Sequence, residues 1–147
     1  MTTEEARPDD RPNDRPDHVR RMWADDRASQ ALGMRLEVVG EGMATVSMPV
    51  TSDMANGHGI GHGGLTFSVA DTAFAFACNS YGPVTVAHSA EIRFHAPVHV
   101  GEVLVATARE RSREGRRGLY DVEVTVEGRL VASFLGRSTT LREGADR

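Results

Sequence analysis

Residues 56–80 read NGHGIGHGGLTFSVADTAFAFACNS, and this stretch decides the fold. Its first nine residues are mostly glycine. From Gly64 onward there is no proline, and Leu65, Phe67, Val69, Ala70, Ala73, Phe74, Phe76 and Ala77 cover most of the circumference of a helix. A helix that is apolar nearly all round must be wrapped by other elements, so residues 64–80 are expected to form one long buried helix. One small, polar stripe differs: Ser68, Asp71, Thr72, Ala75 and Asn79 follow helical spacing and are expected to face a cleft or a partner surface. Loop amides at a helix N-terminus attract developing negative charge. A carboxylate two turns further on suits attack, or the activation of water, and the layout is that of an acyl-transfer site.

Outward from the helix the pattern becomes that of strands. Residues 34–39 and 43–50 pair as a hairpin through Gly40-Glu41-Gly42, with Ala44, Val46, Met48 and Val50 pointing one way. After the helix, residues 84–94 alternate, with Val84, Val86, His88, Ala90, Ile92 and Phe94 on one face; on that reading His88 is a core histidine. Residues 98–109 follow beyond Pro97. Residues 119–127 alternate most cleanly, Tyr120, Val122, Val124 and Val126 against Asp121, Glu123, Thr125 and Glu127, and residues 129–141 follow the turn at Gly128. Upstream, residues 18–32 are expected to form a short helix with Val19, Met22 and Trp23 on one face. Residues 1–17 repeat the Arg-Pro step without apolar periodicity and are expected to be a disordered arm before a domain at 18–147. One long helix among antiparallel strands predicts an α+β domain whose sheet wraps a central helix, and does not suit alternating βαβ units.

Composition narrows the function. A chain of 147 residues suits one domain, and the net charge of −4 gives no general footprint for nucleic acid. All 17 basic residues are arginine, which removes Schiff-base and P-loop lysine chemistry. Cys78 is the one cysteine, so no intrachain disulfide forms and a cytoplasmic location is expected. No apolar run approaches the ~20 residues of a membrane span, and no membrane partner is expected.

The core NGHGIGHGG followed by FSVADTAFAFACNS resembles the phenylacetic-acid-degradation thioesterases of the hotdog fold. A looser resemblance runs over residues 18–141, including Ile92-Arg93-Phe94-His95-Ala96-Pro97 and then Gly101-Glu102. The resemblance implies hydrolysis of acyl-CoA thioesters, commonly aryl-acetyl ones, by a homodimer that pairs sheets edge to edge and usually forms a homotetramer. It implies that the Gly63 backbone N–H contacts the thioester oxygen, opposite the Asp71 of the partner chain. Asp71 is then either a nucleophile giving a mixed anhydride or a general base on water. Asn56 matches the loop asparagine, able to orient water or the carboxylate, or else simply to form a turn. His62 matches the histidine of His-Gly-Gly, and bracing the loop is its first role. Gly64 assists or starts the helix, and Thr72 lines the pocket or serves the helix. Arg109, Arg111, Arg113, Arg116 and Arg117 surround a hairpin turn. Guanidinium groups there suit the CoA phosphates, Arg113, Arg116 and Arg117 above all, although an exposed tip balanced by Glu110 and Glu114 reads the same way. No cofactor is implied, CoA being part of the substrate.

Other readings are weaker on the residues. The pairs His58/His62 and His95/His99 have helical metal spacing, but one lies in a glycine loop and the other spans Pro97. Residues 59–64 satisfy GxGxxG with no strand before them and no βαβ unit around them. Cys78 sits on a buried helix end without a base. A non-catalytic acyl-CoA binding module has no need of Asp71, a hydratase would want a His paired with an acid, and medium-chain or other aromatic acyl groups stay open as substrates.

Overall fold

The computed structural model describes residues 14–142. The chain forms α1 (Asp17–Asp25), α2 (Arg27–Ala31), β1 (Arg35–Gly40), β2 (Met43–Pro49), a 3-10 turn (Ser52–Met54), α3 (Gly63–Cys78), β3 (Thr85–Phe94), β4 (Val103–Glu114), β5 (Arg117–Val126) and β6 (Arg129–Thr140). The strands make one sheet in the order β1-β2-β4-β5-β6-β3, every pairing antiparallel. This is the expected α+β hotdog arrangement, with α3 held in the curl of the sheet.

Alternation places the core. Ala44, Val46 and Met48 of β2, Leu104, Ala106 and Ala108 of β4, and Tyr120, Val122 and Val124 of β5 are all buried toward α3. The helix answers with Val69, Ala70, Ala73, Phe74, Phe76 and Ala77, none above 1 % exposed. Each such large side chain contributes about 1.5–3 kcal/mol on burial. Phe74 packs against Tyr120 and Phe134, and β6 makes room for it with Gly136, where a Cβ would come within 2.8 Å of the ring. The first hairpin turns at Glu41-Gly42, Gly42 taking φ +67°.

Several elements depart from the sequence expectations. The single helix expected over 18–32 is two helices, because the Asp26 side chain accepts from Ser29 N and starts a second one. The strand expected from Val98 begins at Val103: Gly101 turns the chain with φ +92°, and Val98 is buried beneath the glycine loop. The one-sided face expected for residues 84–94 is absent. β3 is an edge strand, exposed along most of its length, and its register shifts between Ala87 and Ser89. His88 is therefore exposed, not a core histidine. Of the arm expected at 1–17, residues 1–13 lie outside the described residues. Just beyond them Arg15 is buried and donates to Leu36 O at 2.6 Å and Glu37 O at 3.2 Å, so ordered contact with β1 begins before residue 18.

Candidate active site

The glycine loop is held from several directions. Asn56 N donates to Ile60 O at 2.7 Å, while its side-chain oxygen accepts from His58 N at 2.9 Å and Ile60 N at 3.3 Å. Gly61 N donates to Val98 O at 2.6 Å, and His62 N to Met54 O at 2.8 Å. A side chain at Gly61 would meet Val98 at 3.3 Å, so the glycine permits this approach. The loop then delivers the chain into α3 with His62 as N-cap. Its Nδ1 accepts from Gly64 N at 3.0 Å, which places the neutral ring's proton on Nε2.

That cap decides which amide is free. Gly64 N is taken, and so Gly64 serves the helix start. Gly63 N has no acceptor among the described residues, and as a first-turn amide it has no partner within the helix. It borders a cleft of about 340 Å³ whose walls include Ile60, Thr66, Phe94, Pro97 and Val98. Phe94, 56 % exposed, stands so close that a Cβ on Gly63 would lie 3.2 Å from its ring. The sequence offers Phe94 as a pocket residue but favours core, since its strand alternates; the structure places it in the wall of the cleft.

Asp71 is half-buried on the flank of α3, with Ser68 and Ala75 on either side of it. Burial pushes its carboxyl above its ordinary range, and the negative charge of Asp26 pushes in the same direction. No hydrogen bond satisfies it within the described residues of the protomer. Its neighbour Thr72 is buried, and its hydroxyl lies 2.9 Å from that of Ser29, so within the protomer it faces α2 and not the cleft. Asn79 is likewise structural. Its NH2 donates to Ala75 O and Thr85 O, both at 2.8 Å, and its oxygen accepts from Thr85 N, tying the end of α3 to β3. Cys78 is buried, and burial pushes its thiol up to about 12, which leaves it neutral and inert as a nucleophile.

The arginines lie elsewhere in the protomer. Arg113 stacks 3.5 Å over the Tyr81 ring and pairs with Glu110 at 3.5 Å, while Tyr81 donates to the same carboxylate at 2.8 Å. Arg116 and Arg117 are exposed at the β4–β5 tip, beside a small cleft of about 160 Å³ that also reaches Cys78. The hairpin is thus at the C-terminal end of α3, whereas Gly63 is at the other.

An α3 cradled by a six-stranded antiparallel sheet, with a free glycine amide at its N-terminus and a carboxylate at its middle, defines a hotdog thioesterase. Comparison with known proteins agrees. Residues 58–133 match the thioesterase superfamily. The acyl-coenzyme A thioesterase PaaI of Escherichia coli is 45 % identical over 118 residues, covering 80 % of this chain and 84 % of that protein. The solved structure of E. coli PaaI, a protein of the phenylacetic acid degradation operon, superposes with a TM-score of 0.83 at 41 % identity, over 85 % of this chain and 91 % of that one. A Thermus thermophilus protein superposes with a TM-score of 0.77 at 39 % identity, over 79 % and 98 %. The chain belongs to the thioesterase superfamily and is a thioester hydrolase. Among the described residues no helix is long and apolar enough to cross a membrane.

Proposed function

We propose that the protein hydrolyses aryl-acetyl-CoA thioesters, phenylacetyl or hydroxyphenylacetyl, to the free acid and CoA, in a site shared by two copies of the chain. The observation that carries this reading is the unpartnered Gly63 N–H at the head of α3, in a cleft with apolar walls. The amide and the helix dipole together favour the negative charge that develops on a thioester oxygen. Ile60, Phe94, Pro97 and Val98 offer an aromatic acyl group flat apolar surface, and the cleft has the volume for one. The E. coli relative is named an acyl-coenzyme A thioesterase, which supports the same class of substrate here.

The second copy follows from distance. Gly63 and Asp71 are eight residues apart in α3. At 1.5 Å per residue that is about 12 Å along the helix. An oxyanion donor and an attacking group must both come within about 3 Å of one reacting centre. One protomer cannot supply both, but a two-fold pair with antiparallel α3 helices can, Gly63 of each meeting Asp71 of the other. β3 is suited to form that pair: it is a sheet edge, and Val86 and Phe94 are 41 % and 56 % exposed on it. The same symmetry carries the Arg116–Arg117 tip of one protomer to the Gly63 end of its partner, where guanidinium groups meet the CoA phosphates.

In this site Asp71 either attacks the carbonyl, expelling CoA thiolate and leaving a mixed anhydride that water hydrolyses to the free acid while its proton goes to the thiolate, or takes a proton from the attacking water and passes it to the departing CoA sulfur. His62 and the side-chain oxygen of Asn56 hold the loop, and the Asn56 NH2 is left to orient water. The chemistry needs no cofactor beyond the CoA of the substrate. We place the enzyme in the cytoplasm, as a dimer that pairs again into a tetramer.

The test is thiol release from phenylacetyl-, hydroxyphenylacetyl- and medium-chain acyl-CoA by wild type and Asp71→Asn. Turnover highest on the aryl-acetyl esters and lost in the variant is expected. Equal or better turnover of the aliphatic esters would remove the aryl assignment, and binding of CoA esters with no thiol released would remove hydrolysis.

A further inference from the structure

The geometry points to Asp26 as a positioning residue for this hydrolysis: through Ser29 and Thr72 it ties the start of α2 to the turn of α3 that carries Asp71. The inference rests on the reading of Asp71 as the reacting group.

The hydrogen bonds run in one direction. Asp26 Oδ1 accepts from Ser29 N at 3.0 Å, and Oδ2 accepts from Ser29 Oγ at 2.7 Å. Ser29 has one hydroxyl proton, and it goes to Asp26. The 2.9 Å contact between Ser29 Oγ and Thr72 Oγ1 must therefore be donated by Thr72. Thr72 and Ser29 are 8 % and 4 % exposed, so the link between their hydroxyls is shielded from competing water. Both Asp26 carboxyl oxygens accept from Ser29. Asp71 follows Asp26 in space because Thr72 is its sequence neighbour.

No other charge on the described elements acts on Asp71 in this way. The sheet turns Val46, Met48, Ala106 and Val122 toward α3, and its one titratable group there, Tyr120, directs its hydroxyl to Glu110 at 3.4 Å. On α3 itself Cys78 is neutral, its thiol raised by burial. On the N-terminal helices, His18 directs Nε2 to Ser80 O at 3.1 Å and Arg27 is exposed. Burial and Asp26 both raise the Asp71 carboxyl. A carboxylate so raised is, once ionised, the stronger base toward water or carbonyl, which is what the reaction asks of it. Asp26 thus does for Asp71 what burial alone does less completely, and it holds the helix turn still while doing so.

The test uses Asp26→Asn in the full-length protein. Asparagine caps a helix as well as aspartate does through its one oxygen, so α2 is retained while the charge and the acceptor for Ser29 Oγ are removed. The acid limb of kcat/KM for phenylacetyl-CoA is expected to move to lower pH, and the plateau kcat to fall severalfold with KM held. Asp26→Glu is expected to return the limb toward wild type. A purely structural loss would lower activity without moving the limb, and an unmoved limb in Asp26→Asn overturns the proposal. The Asp71 carboxyl can also be titrated by carbon-13 NMR, its signal assigned with Asp71→Asn. Its midpoint is expected to fall in Asp26→Asn, and an unmoved midpoint is equally fatal. That titration reads out even if no thioester is cleaved, so failure of the hydrolysis reading is separable from failure of this one.

Discussion

Gly63→Pro removes the proposed oxyanion donor and little else. Gly63 is the first residue of α3, where a helix amide has no intrahelical partner and proline is well accommodated. The preceding His62 has φ −63° and ψ 128°, the extended conformation that a residue before proline requires. The new ring does bring a Cβ to within 3.2 Å of Phe94, so Gly63→Ala, which carries the same Cβ and keeps the N–H, is the control. Loss of one oxyanion donor typically costs about 10²–10³ in kcat, or about 2.7–4 kcal/mol of transition-state stabilisation. We expect that loss in Gly63→Pro relative to Gly63→Ala when thiol release from phenylacetyl-CoA is followed with a chromogenic disulfide, the two variants melting together. A proline variant within about threefold of the alanine variant would refute the assignment of the donor. Mixing extends the experiment. In a heterodimer of Gly63→Pro and Asp71→Asn chains, one site carries both lesions and the other carries none. Activity should return on mixing two inactive proteins, and its failure to return in verified heterodimers would refute the shared site.

Asp71 also predicts a stability effect of definite sign. Its folded-state carboxyl is raised by burial and by Asp26, so the contribution of Asp71 to wild-type stability is fullest below the unfolded value of roughly 3.9 and is lost as pH rises through the folded value. Asp71→Asn should therefore be more resistant to urea at neutral pH, with the gain fading in acid; a gain that grows in acid contradicts the burial. Gly136→Ala should lower stability by about 1–3 kcal/mol, because its Cβ would lie 2.8 Å from the Phe74 ring in a packed core. Chemical denaturation measures it, and an unchanged midpoint would mean that Phe74 has room to move.

The order and kind of most elements were legible because they depend on local periodicity. α3 shows itself through unbroken apolar coverage, β2 and β5 through alternation, and the first hairpin through Gly40-Glu41-Gly42. β3 was misjudged for a physical reason: alternation reports that a strand has an apolar face, not that its own chain covers that face. Val86 and Phe94 are apolar and exposed, and the shift near His88 breaks the two-residue period. At the site, the glycine loop and Asp71 stood out because local sequence carries them. Asp26 did not, since its link to Thr72 spans residues that only tertiary packing joins. The arginine cluster was visible as charge, but the stacking of Arg113 on Tyr81, which occupies one of its members, was not.

In the proposed pair, one helix gives its head to one site and its middle to the other, which has a consequence for inheritance. A lesion confined to Asp71 spoils only the site that its chain's middle serves. A cell making equal amounts of intact and Asp71-defective chains keeps about half of its sites whole under random pairing. A lesion that slides α3 along its axis misplaces Gly63 and Asp71 together and ruins both sites of every mixed pair, so that only the all-intact pairs, about a quarter, remain active. Defects in the reacting carboxylate should then behave as simple dose reductions, and defects in helix register as dominant ones.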